Sequence, residues 1–261
     1  MCEHVHALGK AAGREDCNAR LLGPGRYNHL EIFVTDSSTG DPSAPQHVIS
    51  KSCEGDLARH GDSYLGVGYT KSAGEAAERY GLMLGVIRET SEPVSLLDLG
   101  CGLGHLGDAI DADRAWAHVR YTGLDISSRY VDAARARRPD RTFLQMDVLA
   151  DDTQLPVFDY VVLNGVFNYR GEIPFDRMLA YWQDLLGVAF KHARTGLAFN
   201  VMSPHVDWTR DDLFHLPLDT MSAFVWSRLT RFFVVRHDYR ACEYVTYLYR
   251  TSVQFQPRIE P

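Results

Sequence analysis

The chain has 261 residues, 45% of them apolar, and a formal net charge of −7. That length supports one well-packed α/β core with added pieces. The acidic balance argues against a nucleic-acid partner, because binders of phosphate backbones carry a basic stripe. The five cysteines, Cys2, Cys17, Cys53, Cys101 and Cys242, show no C-x-x-C spacing, so neither a metal site nor a disulfide framework is expected. No apolar run approaches the roughly 18 residues of a membrane span, and the N-terminus lacks a basic-then-apolar signal, so the expectation is a cytoplasmic protein with no membrane partner.

Residues 1–60 are rich in Gly, Pro, Ser, Asp and His, interrupted by one strand-like run at 29–35. They read as an N-terminal extension, mobile in part or forming a lid. Ser72 and Glu75 then form an S-x-x-E capping pattern, and Ala76, Tyr80, Met83, Leu84 and Ile87 follow at helical spacing, which predicts a helix over 72–89. Beyond it, strands at 94–99, 119–125, 142–146, 159–164 and 195–202 alternate with helices at 104–111, 128–138 and 174–193. Such alternation predicts a mostly parallel sheet covered on both faces. The tail holds two β-rich runs, 232–235 and 244–249, close enough to pair antiparallel. The basic cluster Arg135, Arg137 and Arg138 sits at a predicted helix end, where cations suit the helix dipole.

The most informative stretch is Leu96-Leu97-Asp98-Leu99-Gly100-Cys101-Gly102-Leu103-Gly104, an apolar strand that carries an acid and passes into alternate glycines. Glycine lets the backbone turn sharply there and approach a ligand closely. The hexapeptide 102–107 also satisfies G-x-G-x-x-G, the fingerprint of NAD-dependent oxidoreductases. Two further acids at strand ends separate the alternatives, Asp125 after the second strand and Asp147 after the third. A dinucleotide fold uses the first of these on a ribose but has no standard role for Asp98 or Asp147.

These motifs resemble those of the class I S-adenosylmethionine (SAM)-dependent methyltransferases of the small-molecule type, over about residues 72–250. The resemblance implies a Rossmann-like, doubly wound α/β sheet, mostly parallel with an antiparallel C-terminal strand, helices on both faces and the N-terminal extension added. It implies a catalytic domain over 61–254, with an acceptor lid at about 203–230 and a short tail at 255–261. It further implies that the turn of Gly100, Cys101, Gly102 and Gly104 passes beneath the methionine part of SAM, with Asp98 holding the turn. Asp125 would take the ribose hydroxyls and Asp147 the adenine amino group, with Ile126, Met146 and Val148 beside them. Arg79 stands where related enzymes carry an arginine for the cofactor carboxylate. Tyr69, in the loop before the first predicted helix, offers an aromatic face to the sulfonium. Asn164 and Gly165, at the end of the fourth parallel strand, complete the cofactor set.

Acceptor-binding residues are expected in loops at the same end of the sheet. Tyr64, Phe167, Asn168, Tyr169, Trp208 and His215 are the candidates to wall that pocket, and His205 and Asp207 the candidates for proton transfer. The loop 164–170 lacks the Asn/Asp-Pro-Pro-aromatic motif of enzymes that methylate exocyclic amines or glutamine amides. The expected function is methyl transfer from SAM to oxygen or nitrogen of a small organic acceptor, in natural-product or other specialised metabolism, yielding S-adenosylhomocysteine (SAH). The alternatives are a SAM-binding protein without methyl transfer and an NAD-dependent oxidoreductase. The acceptor's identity and homo-oligomerisation are left open.

Overall fold

The computed structural model describes residues 41–68, 73–88, 92–239 and 241–253. The chain divides into two units, Met1–Ser38 and Thr39–Pro261, and the described residues all belong to the second. The strand-like run at 29–35 and Tyr69 lie outside the described residues.

Seven strands form one sheet: β1 (Val94–Leu99), β2 (Val119–Asp125), β3 (Thr142–Gln145), β4 (Phe158–Leu163), β5 (Ala193–Met202), β6 (Phe232–Arg236) and β7 (Glu243–Tyr249). Their order is β3-β2-β1-β4-β5-β7-β6. The first five run parallel; β6 and β7 pair antiparallel, as the two β-rich tail runs led one to expect, and β7 inserts between β5 and β6. Because β7 is antiparallel, its first residue pairs with the last of β5, Glu243 with Met202. The start of β7 therefore lies at the same sheet end as the carboxyl ends of β1 to β5.

Side chains alternate across the strands, so each face collects its own apolar set. Leu97, Leu99, Val161, Leu163, Leu197 and Phe199 pack on one face with α5 (Phe175–Lys191) and α6 (Leu218–Phe224). Leu96, Tyr121, Tyr160, Val162 and Ala198 pack on the other with α2 (Ala73–Leu84), α3 (His105–Ala112) and α4 (Ser128–Arg137). In α5 the apolar positions Met178, Trp182, Leu185, Leu186 and Ala189 recur at helical spacing and are all buried.

Three departures from the sequence expectation matter for the site. First, the segment read as part of the extension contains α1 (Pro45–His60), a helix with no buried residue of its own. It starts where Pro45 supplies a fixed φ at the first helical position. Secondly, the helix expected to reach residue 89 ends at Leu84, with Gly85, Val86 and Ile87 in turns. A Cβ at Gly85 would lie 2.6 Å from the Tyr247 hydroxyl. Thirdly, the expected irregular lid contains α6 and a π-helical turn, Val225–Leu229, whose Met221 and Val225 enter the core. Among the described residues no helix is long and apolar enough to cross a membrane, and no cluster of His, Cys, Asp or Glu is arranged to hold a metal ion.

Candidate functional site

The loops at the carboxyl ends of β1 to β5 enclose a cavity of about 460 Å³, roofed by α1 and α2. This is the sheet end at which open α/β sheets bind ligands.

The turn after β1 forms its floor. Gly102 has φ +53 and Gly104 has φ +76, the left-handed region that side-chain-bearing residues rarely occupy. A Cβ at Gly104 would also fall 2.7 Å from the Phe143 ring, so this glycine is required by packing and does not itself line the cavity. Gly100, Cys101 and Gly102 do line it.

Three acids enter the cavity from successive strands. Asp98 is buried and accepts from the Tyr121 hydroxyl at 2.9 Å. Burial pushes its carboxyl up to about 7; the Tyr121 hydrogen bond opposes that rise and the nearby Asp125 charge adds to it. Asp125 is raised as well, again by burial, although backbone N–H groups of Ser127, Gly102 and Ile126 favour its charged form. Its Oδ2 accepts from Gly102 N and its Oδ1 from Ser127 N, each at 2.9 Å, which fixes the carboxylate against the glycine turn. Asp147 uses Oδ1 to accept from Leu149 N at 3.0 Å, leaving Oδ2 toward α1. Ile126, Met146 and Val148 flank these acids in the cavity wall.

At the other end, Arg79 donates from Nε to Glu243 Oε1 at 2.8 Å and stands 3.4 Å from Glu75. Asn168 Nδ2 donates to the second oxygen of Glu243, also at 2.8 Å. Asn164, Gly165, Asn168, Tyr169 and Trp208 all line the cavity, joined by Met202, Arg210 and Leu213. Asn200, buried on β5, accepts from Gly165 N at 2.7 Å and so holds the loop after β4. That loop is stitched to the segment after β5 by a bridge between Tyr169 and Leu213 and by Phe214 N donating to Asn168 O at 2.9 Å.

Several expected acceptor-site residues lie elsewhere. Phe167 is wholly buried, packed edge-on against Tyr181 and Phe199, and belongs to the core rather than the pocket wall. Tyr64 precedes a short 3₁₀ turn, Leu65–Val67, and does not reach the cavity. His205 and Asp207 are exposed and outside the lining, so neither is placed to take a proton from a ligand there. In His215, Nδ1 is 2.7 Å from Ser203 O and Nε2 accepts from Arg210 N at 3.4 Å. Both ring nitrogens thus serve the backbone, and the ring stacks edge-on against Trp208. Arg137 and Arg138 make ion pairs with Asp108, and Arg138 also with Asp111 and Asp140, which makes them part of a charged surface network.

Other participants carried little sequence signal. Gln46, Ile49, Ser50 and Cys53 bring one side of α1 to the cavity, and the single Tyr130 hydroxyl proton is shared between Cys53 O of that helix at 2.8 Å and Gly66 O at 2.7 Å. Glu243 was legible only as an acid heading an apolar strand. Burial pushes the Cys53 thiol up to about 12 and the Cys101 thiol upward too, so both stay protonated and are poor nucleophiles.

Residues 97–196 match a family described as a methyltransferase domain. A presumptive methyltransferase of Mycobacterium tuberculosis is 29% identical over 168 residues, covering 64% of this chain and 99% of its own length. The crystal structure of magnesium protoporphyrin IX methyltransferase from Synechocystis PCC 6803, with bound SAM, superposes with a TM-score of 0.56 at 12% identity, covering 83% of this chain and all of the other. A presumptive O-methyltransferase from Nostoc punctiforme PCC 73102 gives a TM-score of 0.51 at 11% identity over 67% of this chain and 57% of its own. At such low identities the two structures speak to the fold alone.

Proposed function

We propose that the protein, whose residues 97–196 match a family described as a methyltransferase domain, transfers the methyl group of SAM to an oxygen or nitrogen of a small organic acceptor. The observation that carries this reading is the convergence of Asp98, Asp125 and Asp147 on one cavity, beside the glycine turn. An NAD site has work for one acid of this kind; a ligand with an amino acid moiety, a ribose and an adenine has work for three.

The residues fit such a ligand. Each oxygen of Asp125 accepts one backbone N–H and retains a lone pair for a ribose hydroxyl. Asp147 offers Oδ2 to an exocyclic amine. Asp98 gives the floor a negative group suited to a cationic ligand, and Gly100 and Gly102 keep side chains out of its way. When bound, SAM supplies an electrophilic methyl on a sulfonium, whose charge is neutralised as the methyl leaves.

The acceptor is placed against Asn168, Tyr169, Met202, Trp208 and Leu213, at the cavity end away from Asp147. Tyr169 and Trp208 are among the exposed large apolar side chains, so the walls suit an organic molecule with substantial apolar surface. With His205, Asp207 and His215 outside the lining, the chain's contribution is positioning and exclusion of water. A proton carried by the acceptor oxygen or nitrogen passes to solvent at the open mouth.

Calorimetry with SAM, SAH and NAD tests the cofactor, and transfer of isotopically labelled methyl from SAM to a panel of phenols, hydroxy acids and amines tests the reaction. Binding of SAM and SAH with labelled product is the expected result. NAD binding with no response to SAM or SAH overturns the cofactor assignment. SAH binding with no labelled product across the panel leaves a SAM-binding protein without transfer.

A further inference from the structure

Asp147 is the acid that the SAM reading sets against the adenine amino group, and the side chains that meet its Oδ2 come from α1. Gln46 donates to it from Nε2 at 3.3 Å, and His47 Nε2 stands 3.2 Å away. Gln46, Ile49, Ser50 and Cys53 line the cavity with the i, i+3, i+4, i+7 spacing of one helix face. The following residue fastens the helix over the neighbouring loop, since Ser127 Oγ donates to Glu54 Oε1 at 2.6 Å. Ser127 N in turn donates to Asp125 Oδ1. The helix therefore spans from the acid after β3 to the acid after β2, along the edge where a nucleoside would lie.

A carboxylate orients a primary amide, because only the N–H side can face it. With Nε2 committed to Asp147, Gln46 presents Oε1 on the other branch of the same amide, and among the described residues none donates to that oxygen. A ligand amino group placed at Asp147 Oδ2 thus meets two acceptors, the carboxylate and the Gln46 carbonyl. The 6-amino group of adenine carries two protons and satisfies both. A 6-oxo purine brings an acceptor to the same place, set against Asp147 Oδ2 and leaving Gln46 Oε1 without a donor, which is costly in a partly buried site.

We infer that Gln46 is a specificity-determining residue of the adenine subsite, which clamps the 6-amino group together with Asp147 and rejects 6-oxo purines. The inference rests on the SAM reading of the cavity. It assigns α1 a recognition role, which explains why a helix without a single buried residue holds its place through side-chain hydrogen bonds at the cavity rim.

The test is calorimetry of the full chain with SAH and with S-inosylhomocysteine, its 6-oxo analogue. The wild-type protein is expected to bind SAH at least about 30-fold more tightly. Gln46→Ala and the near-isosteric Gln46→Met are expected to weaken SAH about 5- to 10-fold, as the loss of one hydrogen bond requires. Both variants should leave S-inosylhomocysteine within about 2-fold, so discrimination narrows. Unchanged affinity and unchanged discrimination in both variants overturn the inference. So does an equal loss for the two compounds, which marks a purely structural helix. A wild-type protein that binds no SAH fails the cofactor reading itself, and the inference falls with it.

Discussion

Glu243 and Arg79 form a partly buried ion pair that joins the first residue of β7 to α2, with Arg79 Nε 2.8 Å from Glu243 Oε1. Glu243 is wholly buried, and its second oxygen accepts from Asn168 in the cavity wall. Removing Glu243 leaves Arg79 with Glu75 at 3.4 Å and takes the acceptor from the Asn168 amide, so the cost exceeds the pair's net worth. Glu243→Ala is expected to lower unfolding free energy by about 3–5 kcal/mol in urea titrations, and Glu243→Gln by less. In Glu243→Gln the Asn168 amide loses its fixed orientation, so methyl transfer should fall more than SAH affinity does.

The raised carboxyl of Asp98 predicts a pH dependence. Its value moves from 3.8 to about 7 through burial. Below about 7 the ligand-free protein holds a proton there, and a ligand bearing ammonium and sulfonium groups favours the carboxylate. SAM affinity should therefore rise between about pH 6 and pH 8 and flatten above that range. At about pH 6.5, binding should release protons, visible as a binding enthalpy that varies with the buffer's ionisation enthalpy. Asp98→Asn should abolish that release. For folding the sign is reversed. The folded state binds the proton more tightly than the unfolded one, so this group's contribution to stability is greatest near pH 4 and declines toward about pH 7.

Asp125→Ala should weaken SAH binding by about 1.5–3 kcal/mol if its carboxylate takes the ribose hydroxyls in charge-assisted bonds. The same change frees the backbone N–H groups of Gly102 and Ser127, so a drop in melting temperature should accompany it. Calorimetry well below the new midpoint separates the two effects. Unchanged affinity in the folded variant removes Asp125 from the ribose.

Two glycines of the same turn should part company. Gly104→Ala places a Cβ against the Phe143 ring in a left-handed conformation, so it should cost about 1–3 kcal/mol of stability. Gly102→Val puts a branched side chain into the cavity floor, where it should abolish SAH binding beyond what its stability loss explains. Denaturation curves and SAH titrations on both variants make the comparison.

Phe167 and its neighbour two residues on should also behave oppositely. Phe167→Ala opens the core beside Tyr181 and Phe199 and should cost about 3–5 kcal/mol, with acceptor preference unchanged in the folded fraction. Tyr169→Ala and Trp208→Ala remove exposed cavity walls, so stability and SAH affinity should hold while methyl transfer falls. Steady-state rates over an acceptor panel check this.

The strands were legible because each is a short apolar run between turn residues, and β1, β2 and β4 fall within a residue of where the sequence put them. The three acids were legible because they break those runs at fixed places. What escaped was held together by tertiary contact. No apolar stripe marks α1, and only its placement over Asp147 and Ser127 makes it part of the site. The pairing of Glu243 with Arg79 and Asn168 joins positions 75 to 164 residues apart, with no local pattern to announce it. Phe167 and Tyr169 share one loop, and sequence cannot say which ring turns inward. His215 was expected to help wall the acceptor pocket. Its two nitrogens are instead absorbed by Ser203 and Arg210, a geometry no spacing reveals.

The antiparallel insertion of β7 sets an order in time. On the ribosome, the glycine turn and all three acids emerge by residue 147, yet the strand that carries Glu243 leaves the exit tunnel roughly a hundred residues later. Until then Arg79 has not met Glu243, and β5 has an unpaired edge available to other chains. A nascent chain halted before residue 243 would leave that edge exposed, inviting chaperones. Closure of that edge thus waits on the pairing of β7 with β5.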